Sequence, residues 1–263
     1  MRNKNLIIFC SSSEFPRLFH SVDGKVLNLP LFFVASKTGG CLYNFCFSPY
    51  NYLMSDALLV ETNDRLWTYA DYKAWELDVG ERYEIIEGEA YAMAAPSNKH
   101  QAVCMELSRQ IANFLHGKPC KVRPAPFDVR LDYKEDESDT TVVQPDITVV
   151  CDPAKRGIEG CRGVPDWLIE VLSPSTASVD TVRKFNLYMN RNVREYWIVS
   201  PEEKTVFVYL FKNSMIEKHF TYELPTQERI KASSGCILTT SVPVNIFDGF
   251  SLNIADVFAE DNL

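Results

Sequence analysis

The amino-acid sequence predicts an α+β fold, in which a curved and mainly antiparallel β-sheet is flanked by helices. Many short apolar segments are separated by turn residues, whereas only a few segments have helical periodicity. This order leaves few helices to cross over between parallel strands, so most strand pairs are expected to be antiparallel. The chain has 263 residues, of which 46% are hydrophobic and 24% charged, and can therefore bury a sizeable core.

Residues 1–53 differ from the rest of the chain in charge and pattern. They carry a net charge of +3, whereas the whole chain has a net charge of −8. They also lack clean periodicity and mix Ser and Gly clusters with bulky apolar residues. We expect residues 1–53 to be an extension that is poorly ordered or lies upstream of the true start at Met54, and residues 54–263 to form the main domain. A genuine N-terminal subdomain is the alternative.

The main domain is expected to open with a helix and a hairpin. Thr68 should cap a short helix that ends near Asp78, because a Thr side chain can accept from the free N–H groups of the first turn. Residues 83–93 should form a β-hairpin that turns at Glu87-Gly88.

The longest amphipathic helix is expected next. Ser97 should cap it, and it should end near His116. Its buried face is formed by Val103, Leu107, Ile111, Phe114 and Leu115. The remaining predicted elements are strands at 121–123, 127–131, 147–150 and 167–172, a helix at 180–190, a hairpin of 195–199 with 206–211, and a short helix at 255–259.

Composition excludes several classes of protein and site. The net charge of −8 provides no general positive field, so contact with nucleic acid would have to be local.

The eight cysteines form no CxxC pair and have no histidine at zinc-finger spacing, so neither a structural zinc site nor a dithiol redox motif is expected. Scattered thiols predict a reduced, cytoplasmic protein. The early apolar runs are too short to span a membrane and make poor signal peptides, so neither membrane insertion nor export is expected.

Two acids belong to segments that are otherwise apolar. Asp146 directly precedes the predicted strand 147–150, and Glu170 lies inside the predicted strand 167–172. A buried carboxylate is costly unless its charge is compensated, and two of them suggest a divalent metal. Because strand side chains alternate, both acids can point into one cleft if the strands are neighbours. Oxygen ligands suit Mg²⁺ or Mn²⁺, which predicts hydrolysis of a phosphodiester.

Lys184 is the candidate for the cation that such hydrolysis needs near the attacking water or the developing charge on the phosphate. It lies in the predicted helix that follows the second acidic strand. The alternative is an exposed helix pair with Asp180, which would have little energetic value.

Several segments of the chain match one known family in the same order. They are ERYEIIEGEAYAM (81–93), APSNKHQ (95–101), VRPAPFDVRL (122–131), VVQPDITVV (142–150), the long segment 166–209 and FDGFSLNIADVF (247–258). With these segments the sequence resembles the Uma family of restriction endonucleases, within the PD-(D/E)XK nuclease superfamily. The resemblance covers about residues 64–259.

The resemblance implies a restriction-endonuclease-like core with a metal site. Asp146 matches the motif aspartate and Glu170 the motif glutamate. The lysine that usually stands two positions after this glutamate is Leu172 here. Lys184 matches the position in the following helix to which the lysine of this family has moved.

Three further residues are expected to support the site. Glu84 matches an acid in the hairpin of the family and could complete the metal shell. His100, near a helix N-terminus, could face the cleft, and Gln144 could hydrogen-bond close to the metal. A surface acid and a capping-region histidine are equally good interpretations of the first two. Asp166 lies on the same predicted strand as Glu170 and is a poor partner for it.

Other charged groups are expected to be solvated. The acidic run 134–139 is predicted to be a solvated loop. Scattered arginines on an acidic protein are usually solvated too, although they could line a phosphate-facing surface. They are Arg123, Arg130, Arg183, Arg191 and Arg194.

The sequence therefore predicts a Mg²⁺-dependent DNA endonuclease, in which Asp146 and Glu170 hold the metal and Lys184 assists. Mn²⁺ is expected to substitute for Mg²⁺. A homodimer would be convenient, because one site per chain must otherwise cut two strands. One alternative is a non-catalytic module that keeps the fold and binds nucleic acid or protein. A weaker one is a metal-dependent hydrolase of a small phosphorylated molecule.

Overall fold

The computed structural model describes residues 17–22, 25–30, 65–79, 82–173, 179–225 and 236–259. The chain divides into two compact units, Met1–Leu58 and Leu59–Leu263. In the first unit, β1 (Arg17–Val22) and β2 (Lys25–Pro30) pair as an antiparallel hairpin. The expected start at Met54 lies outside the described residues, so the origin of residues 1–53 stays a prediction.

Among the described residues, the second unit contains helices of which the first two begin at their predicted capping residues, whereas the last, expected at 255–259, spans Ile254–Val257. They are α1 (Tyr69–Val79), α2 (Asn98–Leu115), α3 (Val179–Asn190) and α4 (Ile254–Val257). Before α1, the backbone N–H of Thr68 donates to Asp71 Oδ2 at 3.0 Å, and the N–H of Asp71 donates to Thr68 Oγ1 at 3.4 Å. The Ser97 side chain accepts from the N–H of His100 and caps α2. Both predicted caps are confirmed. Within the described ranges, no helix has the length and apolar character to cross a membrane.

The strands that the structure describes in the second unit form two larger sheets and one small one. They are β3 (Tyr83–Ile86), β4 (Glu89–Ala92), β5 (Lys121–Pro124), β6 (Asp128–Arg130), β7 (Val142–Val143), β8 (Ile147–Val150), β9 (Gly160–Arg162), β10 (Trp167–Val171), β11 (Glu195–Ser200), β12 (Thr205–Lys212), β13 (Met215–Glu223), β14 (Ile237–Leu238), β15 (Ser241–Pro243) and β16 (Ser251–Asn253).

Most strand pairs are antiparallel. The seven-stranded sheet has the order β14-β13-β12-β11-β10-β8-β5, and its parallel pairs are β10 with β11 and β13 with β14. The five-stranded sheet has the order β4-β3-β7-β6-β9 and is parallel between β6 and β9. Strands β15 and β16 pair separately. The α+β fold class and the mainly antiparallel pairing are confirmed, with the strands divided between sheets.

The central strands β8 and β10 are covered on both faces. Alternate side chains, such as Ile147 and Trp167, pack with the buried face of α2 in one apolar cluster. The intervening side chains, such as Val150 and Leu168, join Leu187 of α3 in a second cluster. Burial on both faces explains why these strands are apolar throughout. A charged group within them must therefore find its partners inside the protein.

Two of the cysteines form a disulfide. The antiparallel register of β5 and β8 places Cys120, just before β5, opposite Cys151, just after β8, and their sulfurs are bonded. The expectation of reduced thiols is therefore wrong for this pair, because strand register brings together residues that are 31 positions apart. Cys104 and Cys161 are buried thiols outside any disulfide.

The acidic loop between β6 and β7 is held to the protein at one end. Asp139 is completely buried, and its carboxylate accepts from Nε of Arg130 at 2.8 Å. The guanidinium of Arg130 also lies over the ring of Tyr69, with 3.8 Å to the ring centroid. The expectation that Asp139 and Arg130 are solvated is wrong, because each satisfies the buried charge of the other.

Candidate active site

The two predicted acids lie side by side at the end of the β8–β10 ladder. The register pairs Leu168 with Thr148 and Ile169 with Ile147, so Glu170 stands opposite Asp146, the residue before β8. Directly opposite residues of antiparallel neighbours point to the same face of a sheet. The backbone N–H of Val171 donates to Asp146 Oδ2 at 2.7 Å, which fixes that carboxylate beside β10.

Glu170 is a largely buried carboxylate, with a side chain that is 13% exposed and has two polar partners. Oε1 accepts from the hydroxyl of Tyr188 at 2.8 Å and lies 3.3 Å from Nζ of Lys184. Burial raises the pKa of this carboxyl to about 8; the charge of Lys184 opposes the shift, and the charges of Asp146 and Glu84 add to it. The site therefore concentrates negative charge in a place with little water.

Lys184 supplies the positive charge of the cluster. Its side chain, on α3, is only 7% exposed, and Nζ lies 3.0 Å from Glu84 Oε1 and 2.9 Å from Oε2. The interpretation of Lys184 as a member of an exposed helix pair is wrong. The consecutive elements β10 and α3 thus meet the distant strand β3, which brings Glu84, Glu170 and Lys184 together.

Glu84 and Gln144 are both buried, and their side chains have different hydrogen-bond partners. The Glu84 carboxylate, on β3, accepts from the backbone N–H of Gln144 at 2.7 Å. The amide nitrogen of the Gln144 side chain donates to Tyr72 Oη at 2.7 Å and Asp128 Oδ1 at 2.8 Å, and its oxygen accepts from Arg82 Nε at 3.0 Å. The main chain of Gln144 holds Glu84, while its side chain ties β7 to α1 and β6.

His100 faces the cluster from the first turn of α2. Its Nε2 lies 3.1 Å from Asp146 Oδ2. Burial opposes the charged ring, but the hydrogen bond and the charge of Asp146 outweigh it and raise the pKa of His100. One turn further along α2, Cys104 Sγ lies 3.6 Å from His100 Nδ1. His100 therefore does both: its backbone N–H takes part in the Ser97 cap, and its side chain faces the cluster.

A match to a family model shows to which protein family this chain belongs. The family model Uma2, described as "Putative restriction endonuclease", matches residues 69–236. The chain belongs to the Uma2 family. The matched range contains all six predicted site residues, from Glu84 to Lys184.

Two relatives and one solved structure are similar to this chain. The uncharacterized protein slr1290 of Synechocystis sp. is 31% identical over 140 residues, 53% of this chain and 71% of the relative. A second uncharacterized protein of that organism, sll1609, is 28% identical over 145 residues, 54% of this chain and 79% of the relative. The crystal structure of "a putative nuclease belonging to DUF820" from Anabaena variabilis is similar, with a TM-score of 0.53 at 23% identity. The match covers 73% of this chain and 97% of that one, and it shows a shared fold.

The donor set of this Uma2 protein fits a hard divalent cation. Asp146, Glu170 and Glu84 offer carboxylate oxygens, which are the ligands that Mg²⁺ prefers. The charges of Asp146 and Glu84 raise the pKa of Glu170 further than burial alone does. A bound cation would favour the ionised form of Glu170 and relieve this repulsion.

Two neighbours of the Uma2 site were not predicted from the sequence. Tyr188 stands four residues after Lys184 on α3, and Cys104 stands four residues after His100 on α2. Residues at this spacing share a helix face, so the signal was present in the sequence. Both resemble ordinary core residues, however, and only their contacts distinguish them.

Asp166 and two of the candidate arginines have partners of their own. Asp166 accepts from Arg194 Nη1 at 3.0 Å through one oxygen and from the backbone N–H of Cys151 at 2.8 Å through the other. Arg183 lies over the ring of Tyr91, with 4.0 Å to the ring centroid. Asp166 is thus a structural acid at the other end of β10 from Glu170.

Proposed function

We propose that this Uma2 protein is a metal-dependent endonuclease that hydrolyses phosphodiester bonds in DNA. The observation that carries the proposal is the meeting of two carboxylates and one buried ammonium from separate elements. Asp146 and Glu170 stand opposite each other, and Lys184 Nζ lies 3.3 Å from Glu170. Membership of a family described as restriction endonucleases supports the same class of reaction.

Asp146 and Glu170 would hold Mg²⁺, with Mn²⁺ as a substitute. When bound, this ion supplies a Lewis acid that makes water a better nucleophile and offsets charge on the phosphate. The chain itself fixes both ligands: the N–H of Val171 donates to Asp146, and the hydroxyl of Tyr188 donates to Glu170. Such outer hydrogen bonds orient metal ligands and keep them from turning away.

Lys184 is proposed to orient the attacking water or to offset the negative charge that develops on the phosphate. Its contacts with Glu84 and Glu170 keep the ammonium at the carboxylate cluster in the absence of substrate. Glu84 is therefore proposed to position Lys184, and His100 to hold Asp146 through their hydrogen bond.

DNA is the proposed partner of this site, and a homodimer is proposed so that two sites can cut two strands. The net charge of −8 means that binding must depend on local groups. Arg183, next to Lys184 on α3, is a candidate for one of these local contacts. A cytoplasmic location also stays a proposal.

The test is cleavage of supercoiled plasmid by the full chain with Mg²⁺ or Mn²⁺. Asp146→Asn, Glu170→Gln and Lys184→Met should each lower the rate by about 100-fold or more, because each removes a group that acts on the transition state. Asp166→Asn is the matched control, since Asp166 also follows a proline but contacts Arg194 and Cys151. It should cut at nearly the rate of the unchanged protein.

Cleavage at the unchanged rate by folded Asp146→Asn protein would show that the assignment is wrong. Failure of the unchanged protein to cut any DNA, combined with DNA binding in Ca²⁺, would favour the non-catalytic binding module. Turnover of small phosphate esters alone would favour the small-molecule hydrolase.

A further inference from the structure

A second set of metal-ligating side chains lies behind Asp146. His100, Cys104 and Asp146 each offer a ligand atom, and these atoms all lie within 4.8 Å of one another. The set differs from the carboxylate cluster, because it contains one imidazole, one thiol and one carboxylate. Such mixed nitrogen, sulfur and oxygen ligands are typical of zinc-class cations and are avoided by Mg²⁺.

We propose that His100, Cys104 and Asp146 form a binding site for a zinc-class divalent cation. Around one tetrahedral Zn²⁺, ligand atoms stand about 3.3 to 3.6 Å apart. His100 Nε2 and Asp146 Oδ2 are 3.1 Å apart, and Cys104 Sγ lies 3.6 Å from the other ring nitrogen. The sulfur and the carboxylate oxygen contact different ring nitrogens, so the side chains must rotate to bring one ring nitrogen, the sulfur and the oxygen, which already lie within 4.8 Å of one another, around one ion.

The backbone around these three residues is held by a helix cap, core packing and hydrogen bonds. His100 and Cys104 share one face of α2, which the Ser97 cap begins and whose apolar residues pack in the core. Asp146 is held by the N–H of Val171, and its own carbonyl accepts from the N–H of Ala125 at 2.9 Å. Three protein ligands on a rigid frame leave a fourth position for water or another ligand.

The consequence for the proposed nuclease is inhibition. An ion among these side chains replaces the His100–Asp146 hydrogen bond and takes an oxygen of Asp146, which the proposed Mg²⁺ site also uses. This consequence rests on the proposed function, whereas the site itself does not. The binding experiment below works equally well on a protein that cuts no DNA, so the two proposals fail separately.

The test is binding of Zn²⁺ and Co²⁺ to the full, metal-free chain. Calorimetry should find a Zn²⁺ site whose affinity falls by about tenfold or more in Cys104→Ser and in His100→Ala. Co²⁺ should show the near-ultraviolet charge-transfer absorption of a thiolate ligand, and Cys104→Ser should lose it. Cys161→Ser is the matched control, because Cys161 is a buried thiol on β9 whose sulfur contacts Gly163. It should bind both ions like the unchanged protein.

Three outcomes would overturn the proposal. The first is the absence of Zn²⁺ binding. The second is a Co²⁺ spectrum without thiolate absorption, which would exclude Cys104 as a ligand. The third is full retention of affinity and absorption in Cys104→Ser, which would assign the thiolate to another cysteine.

Discussion

At the scale of single residues, Glu170 has a carboxyl group whose ionised form is unfavourable in the metal-free protein. It lies on β10 between apolar neighbours, and burial raises the pKa of its carboxyl to about 8. The charge of Lys184 and the hydrogen bond from Tyr188 offset only part of this rise in pKa, and the charges of Asp146 and Glu84 add to it. The ionised form of Glu170 therefore destabilises the metal-free protein. Strongly shifted pKa values of this kind are typical of functional sites.

The stability of the metal-free protein should therefore depend on Glu170 and pH. The pKa rises from 4.5 to about 8 on folding, so the folded state holds this proton more tightly. The contribution of Glu170 to stability is fully present below pH 4.5, and it is lost as the pH rises through about 8. At about pH 8, Glu170→Gln should raise the free energy of unfolding by about 1–3 kcal/mol, less than the full shift because contacts with Lys184 and Tyr188 weaken.

Urea denaturation with a chelator at about pH 5 and about pH 8 measures this effect. Glu217→Gln is the control, because Glu217 is an exposed carboxylate on β13 that pairs with Lys212. Equal loss of stability with pH in unchanged and Glu170→Gln protein would contradict the prediction.

At the scale of elements, the loop between β6 and β7 differs most from its sequence pattern. Its acidic residues predict a solvated segment, yet Asp139 is completely buried against Arg130 of β6. The Arg130 side chain in turn lies over Tyr69 of α1. The Arg130 guanidinium therefore joins the strand to the loop by an ion pair and to the helix by a cation–π contact.

Removal of one partner of this pair should be strongly destabilising. Asp139→Ala leaves the Arg130 guanidinium buried without its carboxylate and should lower the free energy of unfolding by about 3 kcal/mol or more. The matched control is Asp136→Ala in the same loop, because Asp136 is exposed and bonds only to Ser138 among the described contacts. Chemical denaturation compares the two. Similar losses in both variants would mean that the buried pair has no special role.

At the scale of the whole molecule, a disulfide joins the edge strand β5 to β8. Cys120 and Cys151 close a loop of 31 positions that contains β6, β7 and Asp146. Reduction should lower the free energy of unfolding by about 2–4 kcal/mol, because the unfolded chain regains the freedom of this loop. The double variant Cys120→Ser/Cys151→Ser should be less stable by a similar amount and insensitive to the reductant.

Denaturation with and without a thiol reductant tests this prediction, and mass spectrometry of an unreduced digest tests the bond itself. A linked peptide containing Cys120 and Cys151 is expected. Recovery of both cysteines as alkylated thiols from unreduced protein would disprove the disulfide.

The sequence by itself determined the features that depend on near neighbours. Ser97 predicts the start of α2, because a capping side chain acts on N–H groups within its own turn. Asp146 and Glu170 were evident as candidate ligands, since an acid in an apolar strand is anomalous wherever that strand lies. Their common face followed from strand alternation once the strands were assumed to be neighbours.

Only the tertiary structure decided which distant residues meet. Glu84 and Lys184 are 100 positions apart, and Cys104 and Asp146 come from different elements. The ion pair of Asp139 and the division of the strands between separate sheets could not be predicted from the sequence either. Periodicity and capping reflect forces that act over a few residues, whereas these contacts depend on strand register and on how helices pack against sheets.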